Sequence, residues 1–225
     1  MAGILFIISA PSGSGKSTLV SEVRRLVSGL DFSVSYTTRK PRGSEEDGRE
    51  YHFTTREHFE GMIAAGEFLE WAEVFGNYYG TAIAALDLAR EHGTDLLLDI
   101  DVQGALQVME TMPEAVSIFI LPPSPEVLER RLRNRSQAEG VSNEAIIETR
   151  LSEARTELQK IDDYRYALVN DVLDQAASEM RAIVLTARGE ATLGEGDLAA
   201  RCITGARSPR LVAALASFGV AVASN

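Results

Sequence analysis

The stretch Ile8-Ser9-Ala10-Pro11-Ser12-Gly13-Ser14-Gly15-Lys16-Ser17-Thr18 sets the architecture of the whole chain. An apolar run over residues 4–8 leads into it, and a helical pattern over residues 18–30 leads out. A strand, a glycine-serine turn and a helix in that order read as a phosphate-binding loop. The backbone N–H groups of such a loop point at a phosphate, with the positive end of the helix dipole behind them. Gly13 and Gly15 lack the Cβ that would block close backbone approach, Lys16 reaches the β- and γ-phosphates, and Ser17 offers its hydroxyl to Mg²⁺. The expected triphosphate-binding set is therefore Ala10, Pro11, Ser12, Gly13, Ser14, Gly15, Lys16, Ser17 and Thr18, with Ala10 in place of the first glycine of G-x-x-x-x-G-K-[ST].

Beyond the loop, short apolar runs alternate with helical patterns, the signature of βαβ units and a mostly parallel sheet. Strands are expected at 4–8, 32–35, 95–100, 116–121 and 166–169. The expected fold is an α/β chain of the P-loop three-layer type with a central parallel five-stranded sheet. Ser124-Pro125 predicts a helix start, Gly93 and Gly66 predict helix ends, and Thr54 with Glu57 fits a capping box. Between residues 35 and 93 the rhythm changes to short strands at 51–53 and 68–74, a helix at 57–65 and a turn at Gly76-Asn77, which predicts an inserted α+β subdomain. The expected organisation is a core of 1–34, 94–130 and 150–188, the subdomain 35–93, a polar, arginine-flanked lid at 131–149, and a tail at 189–225 of unassigned role. In the tail, Leu211, Leu215 and Phe218 predict one short helix.

With 225 residues, 45% hydrophobic content and 24% charged content, the chain is expected to be a soluble globular protein with one sizeable core. No signal peptide is read at the start, and no apolar run approaches the roughly 20 residues that span a bilayer, so a cytoplasmic location and no membrane partner are expected. A single cysteine, Cys202, forms no internal disulfide and has no set of partners for a metal site. The net charge of −11 argues against nucleic acid as a partner. Two basic clusters stand out against it: Arg39, Lys40, Arg42 and Arg49, and Arg130, Arg131, Arg133 and Arg135 followed by Arg150 and Arg155. Such a run is usually a solvated face, but a phosphate loop in the same acidic chain gives it a second meaning.

In Ser33-Val-Ser-Tyr-Thr-Thr-Arg-Lys-Pro-Arg-Gly, Arg39 and Arg42 flank Pro41, so two forked guanidinium groups can converge on one dianion. That arrangement suits a monophosphate acceptor, to which Tyr51 and Tyr79 can add hydroxyl donors. Asp99 and Asp101 follow a buried strand at its carboxyl end, where open α/β sheets place ligands; for Asp101 the other reading is a cap for the helix starting near Val102.

These residues resemble the guanylate kinase family, whose members phosphorylate GMP with ATP. The resemblance runs through Ser9 to Thr18, Ser35 to Arg42, Gly48 to Phe53, Phe68-Leu-Glu-Trp-Ala, Gly76-Asn-Tyr-Tyr-Gly-Thr81, Leu98-Asp-Ile-Asp-Val-Gln-Gly104, Phe119-Ile-Leu-Pro-Pro-Ser124 and Val169-Asn-Asp171. It implies a nucleoside monophosphate kinase with ATP and GMP as partners and Mg²⁺ as cofactor. It also implies that Arg39, Arg42, Tyr51 and Tyr79 hold the acceptor phosphate, that Ser35, Glu70 and Thr81 read the guanine, and that 131–149 is a helical lid. Of the acidic pair, it gives Asp99 to Mg²⁺ and Asp101 to the acceptor nucleoside. Around ATP it implies Arg135 and Arg150 at the phosphates, Arg131 near the adenine or phosphates, and Asn170 by the adenine. Lys16, Arg39, Arg135 and Arg150 then form the catalytic set. A carboxylate at Glu70 accepts from guanine N1–H and the exocyclic amine, whereas adenine presents a lone pair there.

The chain departs from the family pattern at Ser44, where glycine is usual, and in a lid a few residues longer; the tail has no family counterpart. Two other activities remain open at this level: a ribose bisphosphate kinase of the same fold, and a non-catalytic module that binds phosphopeptides. The oligomeric state is open as well.

Overall fold

The computed structural model describes residues 3–138 and 144–220. The chain enters β1 (Leu5–Ser9), whose five residues are all buried, as a strand covered on both faces of a parallel sheet requires. It then passes through the glycine loop into α1 (Lys16–Leu26) and β2 (Leu30–Phe32). Both elements lie earlier than expected. Gly29, at φ 67°, turns the chain, and Leu30 is buried in the sheet instead of continuing the helical stripe. Past the end of β2, the Ser33 N–H still donates to the Leu97 carbonyl at 3.0 Å.

A second sheet follows, built from β3 (Tyr36–Thr37), β4 (His52–Phe53), β5 (Phe68–Val74) and β6 (Asn77–Ala82) in the order β4-β3-β6-β5. The helix α2 (Arg56–Ala64) lies between β4 and β5 in sequence, and its Phe59 stacks on Phe68 with ring centres 4.3 Å apart. The cap of α2 is Thr55, not the expected Thr54: the Thr55 hydroxyl accepts from the His58 N–H, while the Thr54 N–H is used on the Thr37 carbonyl. The hairpin turn falls on Phe75-Gly76, both at positive φ (51° and 75°), and Asn77 already pairs with Val74.

The chain returns through α3 (Ile83–His92), stopped by Gly93 as expected, to β7 (Asp95–Asp99), α4 (Val102–Thr111) and β8 (Val116–Leu121). Next come α5 (Pro125–Ala138), with the Ser124 hydroxyl accepting from Val127 N–H, then α6 (Glu144–Leu158) and β9 (Tyr166–Val169). The main sheet has five strands in the order β2-β7-β1-β8-β9. The polar stretch 131–149 is helical at both ends: α5 runs on to Ala138, with Ser136 buried, and α6 starts at Glu144. Residues 139–143 of the expected lid lie outside the described residues.

After α7 (Leu173–Arg188) the tail forms two helices, α8 (Leu193–Arg201) and α9 (Pro209–Ser217), where the apolar pattern predicts only the second. The tail covers the edge strand β9: Tyr166 pairs with Ile203, and the Cys202 carbonyl accepts from Ala167 N–H at 2.8 Å. Burial, with a further push from the Glu179 charge, raises the Cys202 thiol to about 12, which makes it an inert packing group. Residues 221–225 lie outside the described residues.

Arg210 fixes α9 by donating to the nearly buried Glu179 carboxylate at 2.6 Å and to the Val169 carbonyl at 3.0 Å. Arg210→Ala leaves that carboxylate without its cation. Discounted for the partial exposure of Arg210, the expected loss is about 1–2 kcal/mol, or roughly 2–8 °C in Tm by scanning calorimetry. An unchanged Tm would mean that the Arg210–Glu179 pair adds nothing to the folded state.

By density of contacts the chain divides into two compact units, one made of the chain through Ile8 with Gly29–Ala115, the other of Ser9–Ser28 with Val116 onward. The glycine loop, α5 and α6 belong to the second; the four-stranded sheet, β7 and α4 belong to the first.

Candidate active site

The glycine loop has the geometry that its sequence demands. Gly13 and Gly15 stand at φ 89° and 84°, where side chains are disfavoured, and a Cβ on Gly13 would press on Leu128 and Leu132 at 3.0 Å. Ala10 is not among the positive-φ residues, so the loop's first glycine is dispensable. α1 begins with Gly15 as its cap, with no capping side chain and no acid in its first turn. The positive end of its dipole is thus left for an anion. Lys16 is half-buried, and Ser17 and Thr18 are exposed.

The Ser14 carbonyl accepts two hydrogen bonds: from Arg131 Nη1 at 3.1 Å and from Asn170 Nδ2 at 2.8 Å. Arg131 also donates to the Asn170 carbonyl at 3.0 Å. These two residues, expected beside ATP, brace the loop itself. Asn170 presses close enough that a Cβ on Gly15 would lie 2.7 Å from its amide nitrogen. Arg135 is exposed in the last turn of α5, and Arg150 is half-buried on α6.

In the other unit, Arg39 is almost fully buried, and its fork engages Glu45 through two bonds of 2.9 and 3.0 Å. Glu45 also accepts from the Arg42 N–H at 2.8 Å. Burial works against both charges, but their mutual hydrogen bonds prevail, holding the Arg39 pKa above and the Glu45 pKa below their ordinary values. Gly43, at φ 49°, carries the bend of the 42–45 turn, and Ser44 is not among the positive-φ residues, so its departure from glycine leaves the turn intact. The Arg39 guanidinium lies 5.3 Å from the Tyr51 ring centre, and Tyr51 meets Tyr79 edge-on at 5.8 Å. Burial, reinforced by the Asp99 charge, pushes the Tyr51 hydroxyl up to about 12, so it remains a donor. Sequence reasoning missed Glu45, whose only signal was its place as the first of three acids, Glu45-Glu46-Asp47, close behind two arginines.

Ser35, Glu70 and Thr81 are all buried in this unit. Glu70 pairs with Thr81 across β5 and β6, after a register shift between Phe68 and Glu70, and the Ser35 and Thr81 hydroxyls stand 3.4 Å apart. Burial raises the Glu70 carboxyl to about 7; hydrogen bonds from Thr81 oppose this, and the Asp101 charge adds to it. Gln107 ties α4 to the strand beside Glu70 by donating to the Trp71 carbonyl at 2.9 Å. Asp101 lies past the end of β7 and caps α4, accepting from the Gln103 and Gly104 N–H groups at 2.7 and 3.1 Å.

A glycine loop on a parallel sheet, with a second small sheet carrying a buried guanidinium and a buried carboxylate, defines a P-loop protein built for nucleotides. Comparison with known proteins narrows the class. The guanylate kinase family profile matches residues 3–187. The guanylate kinase of Koribacter versatilis is 57% identical over 188 residues, covering 84% of this chain and 80% of that protein. That of Syntrophotalea carbinolica is 50% identical over 183 residues, covering 81% and 85%. The crystal structure of guanylate kinase from Anaplasma phagocytophilum matches with a TM-score of 0.66 at 35% identity, over 82% of this chain and 86% of that one. The chain belongs to the guanylate kinase family.

Proposed function

We propose that the protein is an ATP:GMP phosphotransferase, a nucleoside monophosphate kinase of cytoplasmic purine nucleotide metabolism that forms ADP and GDP. The observation that carries the specificity is Glu70, a buried carboxylate flanked by the buried hydroxyls of Ser35 and Thr81. Guanine offers N1–H and an exocyclic amine to a carboxylate and O6 to hydroxyls, so each buried group finds its partner. A ribose bisphosphate acceptor would leave Glu70 buried without purpose. A phosphopeptide-binding module would have no use for the intact loop with Lys16 and Ser17.

In this reading the loop amides and Lys16 hold the triphosphate, and Arg39, Arg42, Tyr51 and Tyr79 hold the acceptor phosphate. Arg39 already receives two oxygens of Glu45, the fork geometry a phosphate also offers. Arg135 and Arg150 meet the charge that spreads over the migrating phosphoryl group. No general base is assigned, because the acceptor oxygen is anionic near neutral pH. Asp101 faces the acceptor nucleoside while it caps α4. Arg131 and Asn170 act on ATP through the loop they brace.

Mg²⁺ fits this donor set. Mg²⁺ takes few protein ligands and most of its shell from phosphates and water, so one hydroxyl and one carboxylate are donors that suit it. In this reading Ser17 would supply a hydroxyl and Asp99 a carboxylate, and the ion, when bound, would neutralise charge on the β- and γ-phosphates. Among the described residues no helix is long and apolar enough to cross a membrane.

The reading is tested by pH. Guanine's donors need ionised Glu70, whose pKa of about 7 in the free protein means that acid removes the binding form. The KM for GMP should rise as pH falls below about 7, approaching tenfold per unit, while the KM for ATP follows a different curve. The phosphate of GMP titrates near 6, so the control is Glu70→Gln, which should lose the part of the rise due to the carboxyl. A wild-type profile identical to that of Glu70→Gln would remove Glu70 from guanine recognition.

A further inference from the structure

Gly104 sits in the first turn of α4, and glycine is a poor choice there on local grounds. Its φ is not among the positive values, so its backbone conformation is open to any residue. A glycine inside a helix is less favourable than alanine, the best helix former. The space around it gives the reason for that cost. A Cβ added at Gly104 would lie 2.2 Å from Glu70 Oε2 and 2.9 Å from Glu70 Cδ, inside the contact distance of any real side chain. Glu70 reaches this position from β5, beside the point where Gln107 fastens the strand to α4. The Gly104 N–H is engaged by the Asp101 carboxylate, which caps the same turn.

We infer that Gly104 is a specificity-determining positioning residue: its missing side chain is the seat in which the Glu70 carboxylate rests while it reads the acceptor base. The inference rests on the assignment of Glu70 to guanine. The atom a Cβ would strike is the far end of a side chain, so the fold yields by moving the carboxylate and leaves α4 and β5 in place. The damage falls on base recognition and not on folding. Because alanine is the better helix former, the substitution adds no stability cost of its own in α4.

The experiment compares Gly104→Ala, Glu70→Gln and the double variant Gly104→Ala/Glu70→Asp with the parent, measuring KM for GMP and for ATP, kcat and Tm. Gly104→Ala is expected to raise the KM for GMP by about 30- to 100-fold, with the KM for ATP within twofold and Tm unchanged or higher. The shorter acid in the double variant withdraws from the added methyl, so it should recover part of the affinity that Gly104→Ala loses. A purely structural role would lower Tm, move both KM values together and show no recovery. If Glu70→Gln impairs GMP and Gly104→Ala leaves its KM within twofold of the parent, the seat is refuted and the guanine assignment stands. If Glu70→Gln leaves GMP untouched, the assignment itself is refuted, and the seat with it.

Discussion

Glu70→Gln is expected to lower kcat/KM for GMP by about 10³-fold while leaving ATP binding within a few-fold of the parent. The carboxylate is buried beside Thr81 and Ser35, so in the proposed reading its two acceptors serve two donors of the guanine edge without competition from water. The amide keeps one acceptor and turns a donor toward a donor, losing a charged hydrogen bond and leaving buried groups unpaired. Together these cost about 3–5 kcal/mol, or 10²- to several 10³-fold. Steady-state kinetics with GMP varied at saturating ATP measure the loss, and calorimetric titration with an unreactive ATP analogue measures the donor side. A loss below tenfold would mean that the guanine is read elsewhere.

Lys16→Ala is expected to lower kcat for GDP formation by about 10²- to 10³-fold with GMP affinity unchanged. Lys16 is the first residue of α1, directly after the left-handed Gly15. The loop amides remain in the variant, so ATP still binds. What is lost is the cation that follows the charge developing between the β- and γ-phosphates, a stabilisation larger in the transition state than in the bound substrate. Turnover within tenfold of the parent would show that the loop holds a nucleotide without acting on it.

Much of this molecule is legible from residues near one another in the chain. The loop needs only its two glycines, and β8 and β9 follow from apolar runs that are buried at every position. Local rules failed where two signals competed. Thr54 and Thr55 can each cap α2, and the choice was made by the Thr37 carbonyl, which lies on another strand. The helix α8 carries a complete capping box, Thr192 with Glu195, yet Gly194 and Gly196 hide it from a propensity reading.

The same division holds at the candidate site. As candidates, Arg39 and Arg42 stand out by spacing and Glu70 by its surrounding motif. The two-bond clamp of Glu45 on Arg39, the bracing of Ser14 by Arg131 and Asn170, and the clearance at Gly104 join residues distant in sequence or concern space where no side chain stands. No periodicity encodes an empty volume.

The central claim is that the acceptor is GMP and that its base is read by the buried carboxylate. It is tested most directly by a coupled assay of ADP release with GMP, AMP, UMP and a ribose bisphosphate offered singly at equal concentration to the parent protein. The expected result is turnover with GMP at a kcat/KM at least about 10³-fold above that of every other acceptor. Comparable or faster turnover with any of the other three would contradict it.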